Sequence, residues 1–184
     1  MNIAVYCSSR NDLPQVYVNM AEMLGTWIGT NGHTLVYGGV NAGLMHITAQ
    51  AVHDTGGKVL GVIPEFFVHR ADVLNDELIT TRDLNDRKSR MIAMADAFVI
   101  LPGGIGTIDE WISTLAQLTI SDNDNRGIIV ANHEGMYDGT IRQLMDSSNS
   151  IFSRGKDLNR SIMVEGATQM IEQLNKLQQE YGKK

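Results

Sequence analysis

The chain has 184 residues, 43% of them hydrophobic and 20% charged, which suits one globular domain over 1–184 and excludes a disordered chain. Its 15 Lys and Arg against 21 Asp and Glu leave a net charge of −6, so it lacks the basic footprint of a binder of nucleic-acid polymers or anionic membranes. Cys7 is the single cysteine, which excludes an intrachain disulfide framework.

Met1 leads directly into Ile3-Ala4-Val5-Tyr6, with no charged segment and long apolar segment of a signal peptide. The longest apolar run, from Ala93 to Leu101, is broken by Asp96 and is far short of a membrane span. A cytoplasmic protein with no membrane contact is the expectation.

Apolar runs of strand type fall at 3–7, 34–37, 58–63, 97–101 and 127–131, with weaker ones at 78–81 and 161–164. Most do not alternate polar and apolar residues, which points to strands buried on both faces of a parallel sheet. Helical patterns fall between them, at 13–30, 44–54, 86–95, 108–119, 137–147 and 168–181. In the first, Val16, Met20, Met23, Leu24 and Trp27 recur at steps of three and four. The alternation predicts an α/β fold: a Rossmann-like, doubly wound parallel sheet with helices on both faces. Ligands of such sheets sit beyond the carboxyl ends of the strands, so the loops after strands are where chemistry is sought.

Three of these loops stand out. Cys7-Ser8-Ser9-Arg10 offers small residues, two hydroxyls and a cation, and a helix-capping turn accounts for it equally well. In Tyr37-Gly38-Gly39-Val40-Asn41-Ala42-Gly43-Leu44-Met45, adjacent glycines let the backbone turn and approach a ligand closely. That loop is no dinucleotide fingerprint, because Val40 stands where the second glycine belongs. It is no Walker A loop either, because Leu44-Met45 follows Gly43. A plain tight turn accounts for it alone. The third, Leu101-Pro102-Gly103-Gly104-Ile105-Gly106-Thr107-Ile108-Asp109-Glu110, follows a strand and opens a helix. Gly103, Gly104 and Gly106 can present backbone N–H groups to phosphate oxygens, and Thr107 adds a hydroxyl. Complementing the helix dipole explains one of the two carboxylates, but not the whole pattern. Upstream, Asp86-Arg87-Lys88-Ser89-Arg90-Met91 is either a solvated charged face or a source of cations for the same pocket.

Together these residues resemble the LONELY GUY (LOG) family. Pro102 to Glu110 matches its P-G-G-x-G-T-x-x-E motif, and Arg87-Lys88 with Met91 matches its R-K-x-x-M segment. Val36-Tyr37-Gly38-Gly39 with Gly43-Leu44-Met45, Val5-Tyr6-Cys7-Ser8-Ser9 and Gly61-Val62-Ile63-Pro64 resemble three further family segments in family order. The resemblance implies a Rossmann-like homodimer that acts as a phosphoribohydrolase, cleaving nucleoside 5′-monophosphates, cytokinin riboside monophosphates among them, to free base and ribose 5-phosphate. It places Arg87 and Glu110 at the catalytic positions. Gly103, Gly104, Gly106 and Thr107 take the phosphate, and Ser8, Gly38, Gly39, Gly43, Lys88 and Asp109 complete the substrate-binding set. Neither metal nor cofactor is expected, since His33, His46, His53, His69 and His133 lack ligand spacing.

The chain departs from the family pattern at several positions. Val40 replaces the third glycine of its loop, and His46 follows Met45 where glycine is common. Leu84-Asn85-Asp86 precedes Arg87, Ala71 stands where a substrate-contacting Glu is common, and Leu115 replaces a tryptophan. The phosphate and catalytic elements are intact, and the departures bear on base recognition.

Cleaving a ribosyl C–N bond builds positive charge on the sugar. Glu110 is expected to hold a ribose hydroxyl or a water and to stabilise that charge, with Arg87 orienting the nucleotide. Asp109 is the weaker carboxylate candidate, because neighbours on a helix point about 100° apart. Two other readings compete: a non-catalytic nucleotide or molybdenum-cofactor carrier, which needs no Glu110 chemistry, and a lysine decarboxylase. The latter requires a Schiff-base lysine from among Lys58, Lys88, Lys156, Lys176, Lys183 and Lys184.

Overall fold

Seven strands pair in one sheet of order β4-β3-β2-β1-β5-β6-β7 in the computed structural model, which describes residues 1–120, 124–149 and 157–182. In chain order the elements are β1 (Asn2–Tyr6), α1 (Gln15–Thr30), β2 (Thr34–Tyr37), α2 (Gly43–Asp54), β3 (Lys58–Pro64), β4 (Glu77–Thr81), α3 (Leu84–Met94), β5 (Ala97–Ile100), α4 (Ile105–Ile120), β6 (Ile128–Ala131), α5 (Asp138–Ser148), β7 (Ser161–Val164) and α6 (Ala167–Tyr181). A 3₁₀ segment, Glu65–Arg70, opens a strap between β3 and β4. Every pairing in the sheet is parallel. Each strand therefore needs a crossover, which the α-helices supply at every step except β3 to β4, where the strap does. Lys156, Lys183 and Lys184 lie outside the described residues.

Alternate residues of each strand feed two cores. Ile3, Val5, Leu35, Val59, Val99 and Ile129 pack under α1, α2 and α6 against Leu24, Ile28, Leu44, Val52 and Leu174. Ala4, Tyr6, Val36, Val62, Phe98 and Val130 pack under α3 and α4 against Met91, Ile92, Trp111 and Leu118, with Ile141 and Leu144 of α5 beside them. This burial on both faces is why the strands read as continuous apolar runs. The apolar stripe foreseen on the first helix is only partly inward: Met20, Leu24 and Trp27 are buried, whereas Val16 and Met23 are exposed. The packed face of α1 is narrower than its apolar pattern, because α2 covers it along a seam that includes Gly25 and Gly29.

The strand order reverses between β1 and β5, whose registers run Ile3 to Ala97 through Tyr6 to Ile100. Their carboxyl ends open side by side, and a doubly wound sheet leaves a crevice at such a point. Backbone hydrogen bonds tie the loops there. Ser8 N donates to Pro102 O (3.0 Å) and Leu44 N donates to Ser8 O (3.0 Å). No described helix is long and apolar enough to cross a membrane.

Candidate active site

Five segments converge on the crevice, the strap among them through Phe67. The loop after β1 brings Ser8 and Arg10, α2 brings Met45, α3 brings Arg87 and Lys88, and the start of α4 brings Gly104 to Glu110. They enclose a cleft of about 410 Å³.

Local sequence fixes where α3 begins. Asp83 caps it, its Oδ1 accepting from Asn85 N and Asp86 N at 2.8 Å each, a contact worth about 1 kcal/mol. One turn on, Arg87 points inward and is 9% exposed. Its Nε donates to Val62 O at 3.0 Å, and its Nη1 donates to Glu110 Oε1 at 2.7 Å. The guanidinium passes so close to Gly38 that a Cβ there would lie 2.4 Å from Nη2. Gly38 therefore makes room for the arginine.

Glu110 sits in the second turn of α4 and is 5% exposed. Burial pushes its carboxyl above the ordinary carboxylate value, and Arg87 opposes that without cancelling it. Among the described residues only Arg87 hydrogen-bonds the carboxylate, through Oε1, and Glu110 lines the cleft. The next residue, Trp111, is fully buried and donates from Nε1 to Ser161 Oγ (3.1 Å), fixing the rotation of α4 about its axis.

Asp109 points away from Glu110. Both its oxygens lie 2.8 Å from Lys88 Nζ, which also donates to Ser113 Oγ at 3.2 Å. The cleft thus has a buried ion pair on its floor and a second, more exposed pair at its rim.

The start of α4 presents unpaired backbone N–H groups. The helix begins at Ile105, three residues before the start expected from sequence. Gly106 weakens a helical pattern, yet it lies in the first turn. The first bond of the helix runs from Ile108 N to Gly104 O (3.1 Å), so the N–H groups of Ile105, Gly106 and Thr107 have no intrahelical acceptor. These residues line the cleft with Gly104, and the dipole adds its partial positive charge. Gly103 lies behind them, where a Cβ would come within 2.1 Å of Thr107 Oγ1.

Two other glycines of the expected binding set, Gly39 and Gly43, lie beside backbone. Gly43 has φ +53° and abuts the Ser9–Arg10 backbone, and Gly39 packs its Cα face against Gly61. Neither lines the cleft. The Ser8 hydroxyl accepts from Arg10 N at 3.1 Å.

Beside the cleft is a smaller lobe of about 130 Å³. It shares Ser9, Met45, Phe67, Leu84 and Arg87 with the cleft and adds Gly38, Val40, Pro64 and Arg70. Phe67 and Arg70 come from the strap, which sequence reasoning missed. Arg70 stacks over Phe67 at 5.8 Å. The strap is pinned by Asp72, a buried carboxylate 2.7 Å from His46 Nδ1, whose backbone N donates to Gly39 O at 2.8 Å. Ala71, beside it, forms a bridge with Val40. A second missed residue is Tyr137, whose hydroxyl donates to Leu101 O at 2.8 Å and so anchors the loop after β5. Among the described residues, no group of three or more His, Cys, Asp or Glu gathers at a metal-binding distance.

The family model described as possible lysine decarboxylase matches residues 45–174. The chain is 33% identical over 165 residues to a cytokinin riboside 5′-monophosphate phosphoribohydrolase of Mycobacterium marinum, covering 89% of this chain and 87% of that protein. It is 28% identical to the phosphoribohydrolase LOG5 of Arabidopsis thaliana, covering 94% of this chain and 76% of that one. Among solved structures, the molybdenum cofactor carrier protein of Chlamydomonas reinhardtii superposes with a TM-score of 0.75 at 20% identity, over 96% of each chain. The molybdenum cofactor binding protein of Rippkaea orientalis does so with a TM-score of 0.73 at 19% identity, again over 96% of each. At those identities the likeness is one of fold. The sequence relatives and the family match agree with the motifs around Arg87 and Glu110: the chain belongs to the LOG family of cytokinin riboside 5′-monophosphate phosphoribohydrolases, whose family model bears the lysine decarboxylase description.

Proposed function

We propose that the chain hydrolyses the N-glycosidic bond of a nucleoside 5′-monophosphate, AMP or a cytokinin riboside 5′-monophosphate, to free base and ribose 5-phosphate. The observation that carries this reading is the buried Arg87–Glu110 pair, set on the cleft floor beside an unpaired helix N-terminus. The N–H groups of Ile105 to Thr107 take the 5′-phosphate, with Arg10 and Lys88 adding positive charge. The ribose then lies over Glu110, and the base enters the apolar lobe.

As the C1′–N bond lengthens, positive charge grows on the sugar ring. The Glu110 carboxylate faces that charge from a site where water screens it poorly, and Oε2 holds a ribose hydroxyl or the attacking water. Water adds its oxygen to C1′ as the C1′–N electrons leave with the base, and the proton the water loses ends on the base. Arg87 holds the carboxylate in one orientation, its own position fixed by Val62 O.

The residues of the cleft do not fit pyridoxal phosphate. Lys88 is the one described lysine that lines it, and its amine is held by both oxygens of Asp109 and by Ser113. Lys58 lies at the start of β3, 3.7 Å from Glu77. A carrier needs no carboxylate beside the ribose, whereas the glycosidic chemistry uses Glu110. The homodimer implied by the LOG resemblance belongs to the same proposal, and sedimentation equilibrium tests it.

The test is incubation of the purified chain with AMP and with N6-isopentenyladenosine monophosphate. Base and ribose 5-phosphate released in equal amounts support the reading. Tight binding of both nucleotides without release would overturn it in favour of a carrier.

A further inference from the structure

We infer that Val40 sets the size limit of the base lobe and makes this chain selective for purine nucleotides unsubstituted at N6. The inference rests on the phosphoribohydrolase reading and names its substrate more closely. The lobe adjoins the cleft at Arg87, so a nucleotide whose phosphate sits at the start of α4 and whose ribose lies over Glu110 directs its base there. Its walls are largely apolar, with Val40, Met45, Pro64, Phe67 and Leu84 beside Ser9, Arg70 and Arg87. That lining suits the faces of a planar heterocycle. Its volume, about 130 Å³ against about 410 Å³ for the cleft, leaves little beyond the ring system.

A wall limits size only if it cannot yield, and Val40 is held on both sides. It bridges Ala71 of the strap. Asp72 N donates to Gly39 O (2.8 Å) just before it, and Asn41 N donates to Arg70 O (3.1 Å) just after it. Behind the loop, a Cβ on Gly39 would lie 3.2–3.4 Å from Leu78 and the Gly61–Val62 backbone of β3, so little space separates the loop from the sheet. The strap is itself pinned by the buried Asp72–His46 contact. Val40 is partly exposed, as Phe67 and Leu84 are, but the bonds on either side of it hold its backbone in place. With the base seated so that its exocyclic nitrogen faces Val40, an alkyl group on that nitrogen meets the isopropyl group. One methylene of misfit in such a pocket is worth about 10- to 200-fold in discrimination.

The test compares kcat/KM for AMP and for N6-isopentenyladenosine monophosphate in the native chain, Val40→Ala and Val40→Gly. The native chain is expected to favour AMP by about tenfold or more. Both variants should move the ratio toward the prenylated nucleotide, Val40→Gly further. A purely structural defect would lower both values together and leave the ratio where it was. Equal use of the two nucleotides by the native chain, or a ratio unmoved in both active variants, would overturn this inference alone. Turnover of neither by the native chain would overturn the phosphoribohydrolase reading and this inference with it.

Discussion

Arg87 Nη1 donates to Glu110 Oε1 across 2.7 Å, joining two helices at the one place where the order of the sheet reverses. Removing one partner of a buried pair leaves an uncompensated charge, at a cost of about 3–5 kcal/mol. Arg87→Ala should therefore destabilise the chain by about that amount in urea unfolding. Adding Glu110→Gln to it should restore much of the loss, because a neutral amide needs no counter-charge. The double variant should stay inactive. Equal stability of Arg87→Ala and the native chain would show that the pair is not desolvated in solution.

Burial raises the Glu110 carboxyl above its ordinary value of 4.5. The ionised form is the one the proposed chemistry uses, so kcat should fall as pH drops through this raised value. The acid limb should thus lie above pH 4.5, and Glu110→Gln should have no such limb. For stability the sign is opposite. A carboxyl whose folded-state value is raised favours folding at pH below its unfolded value, and that contribution is lost as pH rises through the folded value. A pH–rate profile with its acid limb at or below 4.5 would contradict the desolvation of Glu110.

Gly38 leaves space for Arg87, and a Cβ there would sit 2.4 Å from Nη2. Gly38→Ala should displace the guanidinium while the sheet and cores persist. A displacement of about 1 Å can cost about 10²-fold in rate. The expected outcome is a drop of about that size in kcat with an unchanged circular dichroism spectrum. Native activity in Gly38→Ala would mean that the position of Arg87 does not limit the reaction.

Lys88 is bound to Asp109 at the rim rather than standing free. A phosphate at the start of α4 competes with Asp109 for its ammonium. Lys88→Ala should raise KM for AMP about tenfold, with a smaller effect on kcat, and added salt should narrow the gap. Isothermal titration against ribose 5-phosphate should show the same loss of affinity. Unchanged KM would confine Lys88 to its pair with Asp109.

The sheet was legible because burial on both faces leaves apolar runs that polar loops cannot imitate. Even the weak runs became strands, Glu77–Thr81 and Ser161–Val164, at the edges of the sheet. Arg87 and Glu110 were legible as a motif, and the structure gives their juxtaposition. The strap was not legible. Glu65–Arg70 has no helical periodicity, and Phe66 and Val68 are exposed, so no apolar pattern marks it. Its hold on Val40 is a contact between segments far apart in sequence. The same is true of the Tyr137 hydroxyl on Leu101 O, which nothing local in the 137–147 pattern announces. Sequence alone does not separate the two uses of Gly39 and Gly43, because a close approach of two backbone segments calls for the same residue as a close approach to phosphate.

The most direct test of catalysis by Glu110 is a single-turnover measurement with excess native chain or Glu110→Gln over AMP, paired with the affinity of each for AMP. The account predicts release of adenine and ribose 5-phosphate by the native chain, slowed by about 10²- to 10⁴-fold in Glu110→Gln, with AMP still bound. Release by Glu110→Gln at the native rate would contradict it.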